Sequence, residues 1–288
     1  MEKKYIICFG EVLWDMLPDG KILGGAPLNV LFHAQNNGLS GDIITAIGDD
    51  ALGKEIYQEM HSLNLSVDLV QEIKDVKTGI AAVSLDKNGT ASYELVQPVS
   101  YDMLQLTESN LQAMNRCDAF VYGSLANRSE KSFLTLSSLL ESQKENKNII
   151  RVFDINLRPP HYKMETIDFL LEQANIVKLN EEELEIVAAH HQLEGERFSL
   201  MKKMLSLFHL DAMVCTLGGD GALYVSVKEE VFVAGLKVDI VDTVGAGDAF
   251  LAAFLSGYLN GLPASELMQH ANALGAKVAG QKGAIASY

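Results

Sequence analysis

The stretch NIVKLNEEELEIVAAH, residues 175–190, is a short apolar run followed at once by a segment of helical character. The same alternation recurs along most of the chain. Apolar strands that alternate with helices are typical of a parallel sheet covered on both faces. The pattern therefore predicts a three-layer α/β/α body with a mostly parallel central sheet. Further apolar runs are residues 5–9, 43–47, 119–122, 149–154 and 212–217, and further helical stretches are 52–63, 130–145 and 200–208.

Two β-rich segments, residues 78–86 and 90–96, interrupt this alternation, and no helix follows them. The Lys-Asn-Gly between them can supply the positive φ angles of a tight hairpin turn. Together with the extended stretch at residues 12–23, the hairpin predicts a small accessory β-sheet. We expect this sheet to act as a lid, built from segments at approximately 12–23 and 76–101.

Composition limits the class of ligand and the compartment. The 288 residues contain no linker or repeat, so we expect a single domain over residues 1–288. A net charge of −15 repels a phosphate backbone and argues against nucleic-acid binding. The three cysteines have no metal-site spacing, and no apolar run approaches the ~18 residues that cross a bilayer. We therefore expect a cytoplasmic protein without a membrane or nucleic-acid partner.

The strongest local signal is VDTVGAGDAF, residues 241–250, which precedes a helical stretch. Gly245 and Gly247 allow the backbone to bend closely, and the helix start offers unpaired N–H groups that can hold an anion. Asp248 lies in the first turn of this helix. Its carboxylate could simply cap the helix, or it could act as a general base beside a transferring phosphoryl group.

A second glycine-rich motif, GGAPLN, occupies residues 24–29 and introduces a helix that should end near Gly38. Its paired glycines leave room for a ligand against the backbone. Asn29 can donate and accept hydrogen bonds at once, which suits a polyol, although it could equally be solvated after a plain glycine turn. Asp15 could accept hydrogen bonds from two adjacent hydroxyls or could be a surface turn residue. The histidine pair at residues 190–191 has no carboxylate pattern beside it, so we expect solvated side chains.

These two motifs, in this order near opposite ends of the chain, resemble the two signatures of the ribokinase-like (PfkB-type) carbohydrate kinases. The motif at residues 24–29 and the Asn-x-Arg-Pro segment resemble the fructokinase branch in particular. The resemblance implies a ribokinase-like fold and extends over nearly the whole chain. Further matching landmarks are Gly48-Asp49-Asp50 with Gly53, residues 154–159, Asn180 with Glu183 as an Asn-x-x-Glu, and Thr216-Leu217-Gly218 with Gly221.

The resemblance also implies roles for individual residues. Asp248 corresponds to the catalytic base, and the backbone of Gly245, Ala246 and Gly247 corresponds to the anion hole. The remaining implied contacts are Asp15, Gly25 and Asn29 with sugar hydroxyls, Arg158 with phosphate charge, and Asn180, Thr216, Gly218, Gly221 and Asn272 with the nucleotide.

Two cation sites are implied in the same way. Glu183, with Asn180, matches the motif that organises Mg²⁺ and the nucleotide phosphates, usually through water. Asp242 resembles a ligand of the potassium (K⁺) site seen in some members. The other groups of that site would be Ser287 and the backbone around Val244, Val278 and Gly283.

The activity implied by the resemblance is ATP-dependent transfer of the γ-phosphoryl group to a primary hydroxyl of a sugar, and we expect fructose. Two departures bear on this. Residues 93–101 lack the arginine that fructokinase-like lids often carry, and Val244 stands where threonine is frequent. The alternatives are another acceptor, such as 2-keto-3-deoxygluconate, ribose or a nucleoside, and a non-catalytic sugar-binding protein. The edges of a lid sheet could also pair two copies into a homodimer.

Overall fold

The computed structural model describes residues 3–17, 20–85 and 91–285. The strands are β1 (Tyr5–Phe9), β2 (Leu13–Leu17), β3 (Gly20–Gly24), β4 (Ser40–Gly48), β5 (Val70–Ile73), β6 (Gly79–Leu85), β7 (Ala91–Leu95), β8 (Ala119–Gly123), β9 (Ile150–Asp154), β10 (Ile176–Asn180), β11 (Ala212–Thr216), β12 (Gly221–Ser226) and β13 (Glu230–Ala234). The helices are α1 (Ala26–Asn36), α2 (Ala51–Ser62), α3 (Glu108–Met114), α4 (Glu130–Ser142), α5 (Met164–Gln173), α6 (Glu181–His190), α7 (Arg197–Leu207), α8 (Ala246–Leu259) and α9 (Ala264–Ala279).

The central sheet has nine strands in the order β13-β12-β11-β10-β9-β8-β1-β4-β5. The seven strands from β11 to β5 pair in parallel. The two at the other edge, β12 and β13, are antiparallel. The mostly parallel sheet expected from the sequence is confirmed.

Both faces of this sheet are buried, as the apolar strands predict. In β1, the alternate residues Ile7 and Phe9 belong to a buried cluster with side chains of α3 to α7. Ile6 and Cys8 point to the other face and join a cluster with α1, α2, α8 and α9. This division gives the three layers. Within the described ranges, no helix is both long and apolar enough to cross a bilayer.

The small sheet has four strands in the order β3-β2-β6-β7. Its two hairpins, β2–β3 and β6–β7, are antiparallel, and β2 and β6 join them in parallel. The predicted accessory sheet is therefore present, but its strands end at Leu95, and residues 100–103 form a short 3₁₀ helix. The predicted Asn-Gly turn between β6 and β7 lies outside the described residues.

The topology gathers polar side chains at one edge of the central sheet. Asp154, Asn180 and Thr216 end three successive parallel strands, and open α/β sheets bind ligands at such carboxyl ends. Helix α8 packs against α1, which brings the two glycine motifs together beside this edge.

Candidate active site

A cavity of about 530 Å³ lies between the carboxyl edge of the central sheet and the small sheet. Its volume falls within the range of roughly 300–1,000 Å³ that is typical of small-molecule sites. Leu13, Ala81 and Leu95 of the small sheet form an apolar part of its wall. The sequence-predicted residues that line it are Asp15, Gly25, Asn29, Arg158, Asn180, Thr216, Gly245, Gly247 and Asp248.

The first turn of α8 requires a glycine at Gly245. This residue is the N-cap and has a φ of 78°, in the left-handed region that favours glycine. A Cβ at this position would lie 2.4 Å from the Cβ of Ala284. The C-terminal segment therefore packs directly onto the turn that begins α8.

Gly245, Gly247 and Asp248 of this turn line the cavity. The N–H of Ala246 donates to the carbonyl of Thr243 at 3.3 Å, so it is already engaged. Among the described residues, no backbone acceptor takes the N–H of Gly247 or Asp248. These are the donors expected at a helix N-terminus, where they and the helix dipole favour an anion.

Asp248 and Asn29 meet in the cavity, although 219 positions separate them in the sequence. The Asn29 Nδ2 donates a hydrogen bond of 2.8 Å to Oδ2 of Asp248. Asp248 is only 9% exposed, and Oδ1 of Asn29 is buried without a hydrogen-bond partner. A buried acceptor without a donor is costly, so Asn29 is suited to receive a ligand hydroxyl. The N-cap of α8 is Gly245, so the simple capping role considered for Asp248 does not apply.

The surroundings of Asp248 raise its pKa to about 6. Burial is the largest cause, and the nearby Asp154 carboxylate raises it further. Lys178, the Asn29 hydrogen bond and Arg158 act in the opposite direction. The carboxylate is therefore ionised at neutral pH but far more basic than an ordinary aspartate, which is the tuning that a general base needs.

Lys178 is a cavity residue that the sequence analysis missed. Its ammonium lies 3.0 Å from Oδ1 of Asp154, which stands opposite it in register on β9. Both residues are buried. Burial lowers the pKa of Lys178, but Asp154, Asp248 and Glu183 outweigh that effect and hold it above its ordinary value. The available signal was a lysine inside the apolar run at residues 175–179, because charged residues are almost never buried unpaired.

Asn180 and Glu183 form a reciprocal cap at the start of α6. The Asn180 Oδ1 accepts the N–H of Glu183 at 2.8 Å, and the Glu183 Oε2 accepts the N–H of Asn180 at 2.9 Å. The other Glu183 oxygen accepts the N–H of Leu157 at 2.8 Å. Both carboxylate oxygens of this buried residue are therefore engaged, which fits an indirect role towards a metal ion rather than direct ligation.

Gly25, Asp15 and Glu11 form the other wall. A Cβ on Gly25, whose φ is 117°, would lie 2.3 Å from the carbonyl oxygen of Glu11. Burial, with a smaller contribution from Asp242, raises the pKa of Asp15 to about 6 against the effect of Arg158. Burial likewise raises the pKa of Glu11, which sequence reasoning missed as a cavity residue, to about 7. Its signal was a charged residue two positions after the end of the first apolar strand.

Three predicted nucleotide contacts do not line this cavity. Gly218 is exposed, and Gly221 is buried in β12, where a Cβ would lie 1.9 Å from the carbonyl oxygen of Val233. Asn272 lies on α9 and donates to the carbonyl of Ala234 at 2.9 Å.

The predicted potassium ligands are described only in part. The carboxylate of Asp242 accepts the N–H groups of Val244 and Gly283, each at 3.0 Å, and thereby ties the segment before α8 to the C-terminal segment. Ser287 lies outside the described residues.

Comparison with known proteins identifies the family. A profile of the "pfkB family carbohydrate kinase" matches residues 7–288. The chain belongs to the pfkB family of carbohydrate kinases. The predicted family and enzyme class, a phosphotransferase that acts on a sugar, are thereby confirmed.

Similar proteins extend over nearly the whole chain. A protein named "Probable fructokinase-6, chloroplastic" from Arabidopsis thaliana is 31% identical over 311 residues, covering 99% of this chain and 79% of its own. A sugar kinase from Pyrococcus horikoshii, solved with ATP, has a TM-score of 0.83 at 27% identity, covering 97% of this chain and 94% of its own. A fructokinase double mutant from Vibrio cholerae, solved with fructose, ADP and potassium, has a TM-score of 0.82 at 22% identity, with 98% and 94% covered. The ribokinase-like fold is confirmed.

The raised pKa of Asp248 predicts how activity depends on pH. A base works only when ionised, so kcat/KM should be at its plateau above pH 7 and fall as the pH drops through about 6, the pKa of this residue. An acid limb near the ordinary aspartate pKa of about 4 would contradict this. Asp15→Asn is the control, because it removes the other carboxylate with a pKa of about 6. The variant should bind sugar less well yet keep the acid limb.

Removal of Lys178 should affect stability and activity separately. Lys178→Met leaves Asp154 buried without its partner, which should lower the free energy of unfolding by about 3–5 kcal/mol. Adding Asp154→Leu should restore most of that stability but not kcat/KM, because the positive charge beside the anion hole is still missing. Urea unfolding and steady-state kinetics measure the two effects. A double variant with wild-type kcat/KM would show that Lys178 has only a structural role.

Gly245→Ala should lower kcat as well as the stability of the fold. The alanine is strained by about 1–2 kcal/mol at a left-handed φ and also collides with Ala284. Displacement of the anion hole should lower kcat by at least about 100-fold. Gly38→Ala is a matched control, because Gly38 has a φ of 89° and open space around its missing Cβ. Gly38→Ala should lower the free energy of unfolding by a similar amount but keep the wild-type kcat. Equal losses of kcat in both variants would contradict the prediction.

Proposed function

We propose that the protein is an ATP-dependent fructokinase that transfers the γ-phosphoryl group of ATP to a primary hydroxyl of fructose or a closely related ketose. The observation that carries the proposal is the buried Asp248 carboxylate, hydrogen bonded to Asn29 at 2.8 Å beside free N–H groups of α8. A phosphate-binding loop alone would be weakened by a carboxylate at this point. A carboxylate at this position is expected if it acts as a general base, because such a base must lie close to both the attacking hydroxyl and the phosphoryl group.

In the proposed reaction, the sugar occupies the cavity between Asp15 and Asn29. The Asn29 Oδ1 and the Asp15 carboxylate accept hydrogen bonds from sugar hydroxyls, and Asn29 Nδ2 fixes the orientation of Asp248. Asp248 takes the proton of the attacking hydroxyl. The N–H groups of Gly247 and Asp248, with the charge of Lys178, stabilise the negative charge that develops on the transferred group.

The small sheet has a clear part in this scheme. Leu13, Ala81 and Leu95 line the cavity. In the proposed complex their apolar side chains would cover the sugar. An apolar cover excludes water, which would otherwise compete with the sugar for the phosphoryl group. In the absence of a lid arginine, sugar recognition falls to the residues of the cavity floor.

Magnesium would enter with the nucleotide. In the described parts of the chain, the group of three metal-ligating side chains found lies away from the cavity, and Glu183 has both oxygens engaged. This donor set fits Mg²⁺, which usually keeps several waters and is held largely by substrate phosphates. Asn180 and Glu183 would hold it through water, and the ion would neutralise phosphate charge. A potassium ion would be held by Asp242, next to the turn at Gly245.

Compartment and assembly complete the proposal. The free cysteines Cys8, Cys117 and Cys215 are all buried and suit a reducing cytoplasm.

Strands β3 and β7 form the outer edges of the small sheet, where a second copy could pair to give a homodimer. Light scattering after size-exclusion chromatography tests the dimer, and a monomer at all concentrations would contradict it.

An acceptor panel with a base variant tests the function. Fructose, ribose, 2-keto-3-deoxygluconate and nucleosides are compared by sugar-dependent ADP formation, and we expect the highest kcat/KM with fructose. Asp248→Asn should lower kcat by about 10²–10⁴-fold while sugar binding persists, since only proton transfer is lost.

Glu266→Gln is the matched control, because Glu266 also lies in the first turn of a helix but is not part of the cavity. Its kcat should equal that of the wild type. A better acceptor than fructose would overturn the substrate, and near-normal turnover of Asp248→Asn would overturn the base. Tight sugar binding by the wild type with no phosphorylated product would indicate a sugar-binding protein instead.

A further inference from the structure

Three metal-ligating side chains converge outside the cavity, on helices α5 and α6. Asp168, His190 and His191 each offer one ligand atom, and these atoms all lie within 4.8 Å of one another. His190 Nε2 lies 3.1 Å from one carboxylate oxygen of Asp168, and His191 Nε2 lies 2.9 Å from the other. His190 is exposed, as expected. The expectation that the histidines have no carboxylate partner is wrong, because the partner comes from a different helix.

Local backbone geometry explains why two adjacent histidines face one point. Consecutive residues of a helix normally point in different directions. Here α6 ends at His190, and His191 leaves the helical conformation with φ −90° and ψ 9°. The two rings then lie 4.8 Å apart at 86° to each other. The His191 ring also packs edge-on against Phe208 at 5.1 Å, which restricts its orientation.

We propose that Asp168, His190 and His191 form a binding site for a zinc ion on the surface of the protein. Two imidazoles and one carboxylate are a ligand set that suits zinc, whereas Mg²⁺ prefers oxygen ligands alone. Tetrahedral zinc with ligands at about 2.0–2.2 Å spaces them roughly 3.4 Å apart. The two nitrogen–oxygen distances, 2.9 and 3.1 Å, are slightly shorter than this value, and all the ligand atoms lie within 4.8 Å of one another. Small side-chain adjustments would therefore bring them around one ion. Water would take the fourth position.

Two further features favour a cation here. The site lies at the C-terminal end of α6, where the helix dipole is negative. An imidazole can carry its proton on Nδ1 and bind a metal ion through the lone pair of Nε2. Both Nε2 atoms and the Asp168 carboxylate would then contact the ion.

The bound ion would link α5 to the C-terminal end of α6. Helix α6 begins at the Asn180–Glu183 cap beside the cavity and spans about 15 Å, so the ion would lie far from the reacting atoms. We therefore expect zinc to stabilise the fold without taking part in phosphoryl transfer. The inference does not depend on the sugar or on the catalytic base.

Isothermal titration of the untagged chain with Zn²⁺ tests the site directly. The wild type should bind one ion. Because even outer-shell partners of a metal ligand are worth about 10–100-fold in affinity, Asp168→Asn and His191→Ala should each weaken binding by at least about 100-fold. Co²⁺ should give the intense visible absorption of a four-coordinate complex with the wild type but not with either variant.

His61→Ala is the matched control, because His61 is also an exposed histidine in the last turn of a helix. It should bind Zn²⁺ as the wild type does and gain the same increase in Tm on zinc addition, whereas His191→Ala should gain none. The buried cysteines cannot supply a competing site in the folded chain. Unchanged zinc affinity in Asp168→Asn and His191→Ala, or no binding by the wild type, would overturn the proposal.

Discussion

The hydrogen bond from Asn29 to Asp248 joins the two halves of the cavity and fixes the orientation of its central carboxylate. It forms only because α1 and α8 pack side by side on one face of the sheet. Each helix begins at a glycine whose Cβ position is already filled, by the Glu11 carbonyl at Gly25 and by Ala284 at Gly245. The fold therefore sets the positions of both helix starts, and the site depends on those positions.

Charge is the second constraint on this site. The chain carries a net charge of −15, and the carboxylates of Glu11, Asp15, Asp154 and Asp248 surround or adjoin the cavity. An anionic nucleotide can approach only where local donors offset this field. The N–H groups at the start of α8 and the buried Lys178 are such donors. Burial and, after it, the Asp154 carboxylate raise the pKa of Asp248. The same cavity therefore serves both binding and proton transfer.

Much of the fold could be predicted from local pattern. The continuous apolar runs predicted the parallel strands correctly. A strand in a sheet that is covered on both faces has no solvent-facing side, so its sequence is apolar throughout. Gly38 was correctly placed just past the end of α1, because a helix terminus needs the left-handed conformation that it adopts. The glycine motifs located the cavity, because residues of both motifs line it.

What the sequence analysis missed depends on pairing across elements. Lys178 can be buried because it pairs with Asp154, which lies opposite it on the neighbouring strand. No spacing along the chain reveals that register. The partner of His190 and His191 lies on α5, so a search for a nearby carboxylate along α6 could not find it. Asn272 and Gly221 were assigned by resemblance alone, and their contacts here are with β13.

A crystal structure with fructose and a non-hydrolysable ATP analogue tests the central claim most directly. The account predicts one primary hydroxyl of the sugar within about 2.6–3.2 Å of the Asp248 carboxylate and in line with the γ-phosphoryl group at the start of α8. A sugar held elsewhere, or a γ-phosphoryl group too far from α8 to share a hydroxyl with Asp248, would contradict it.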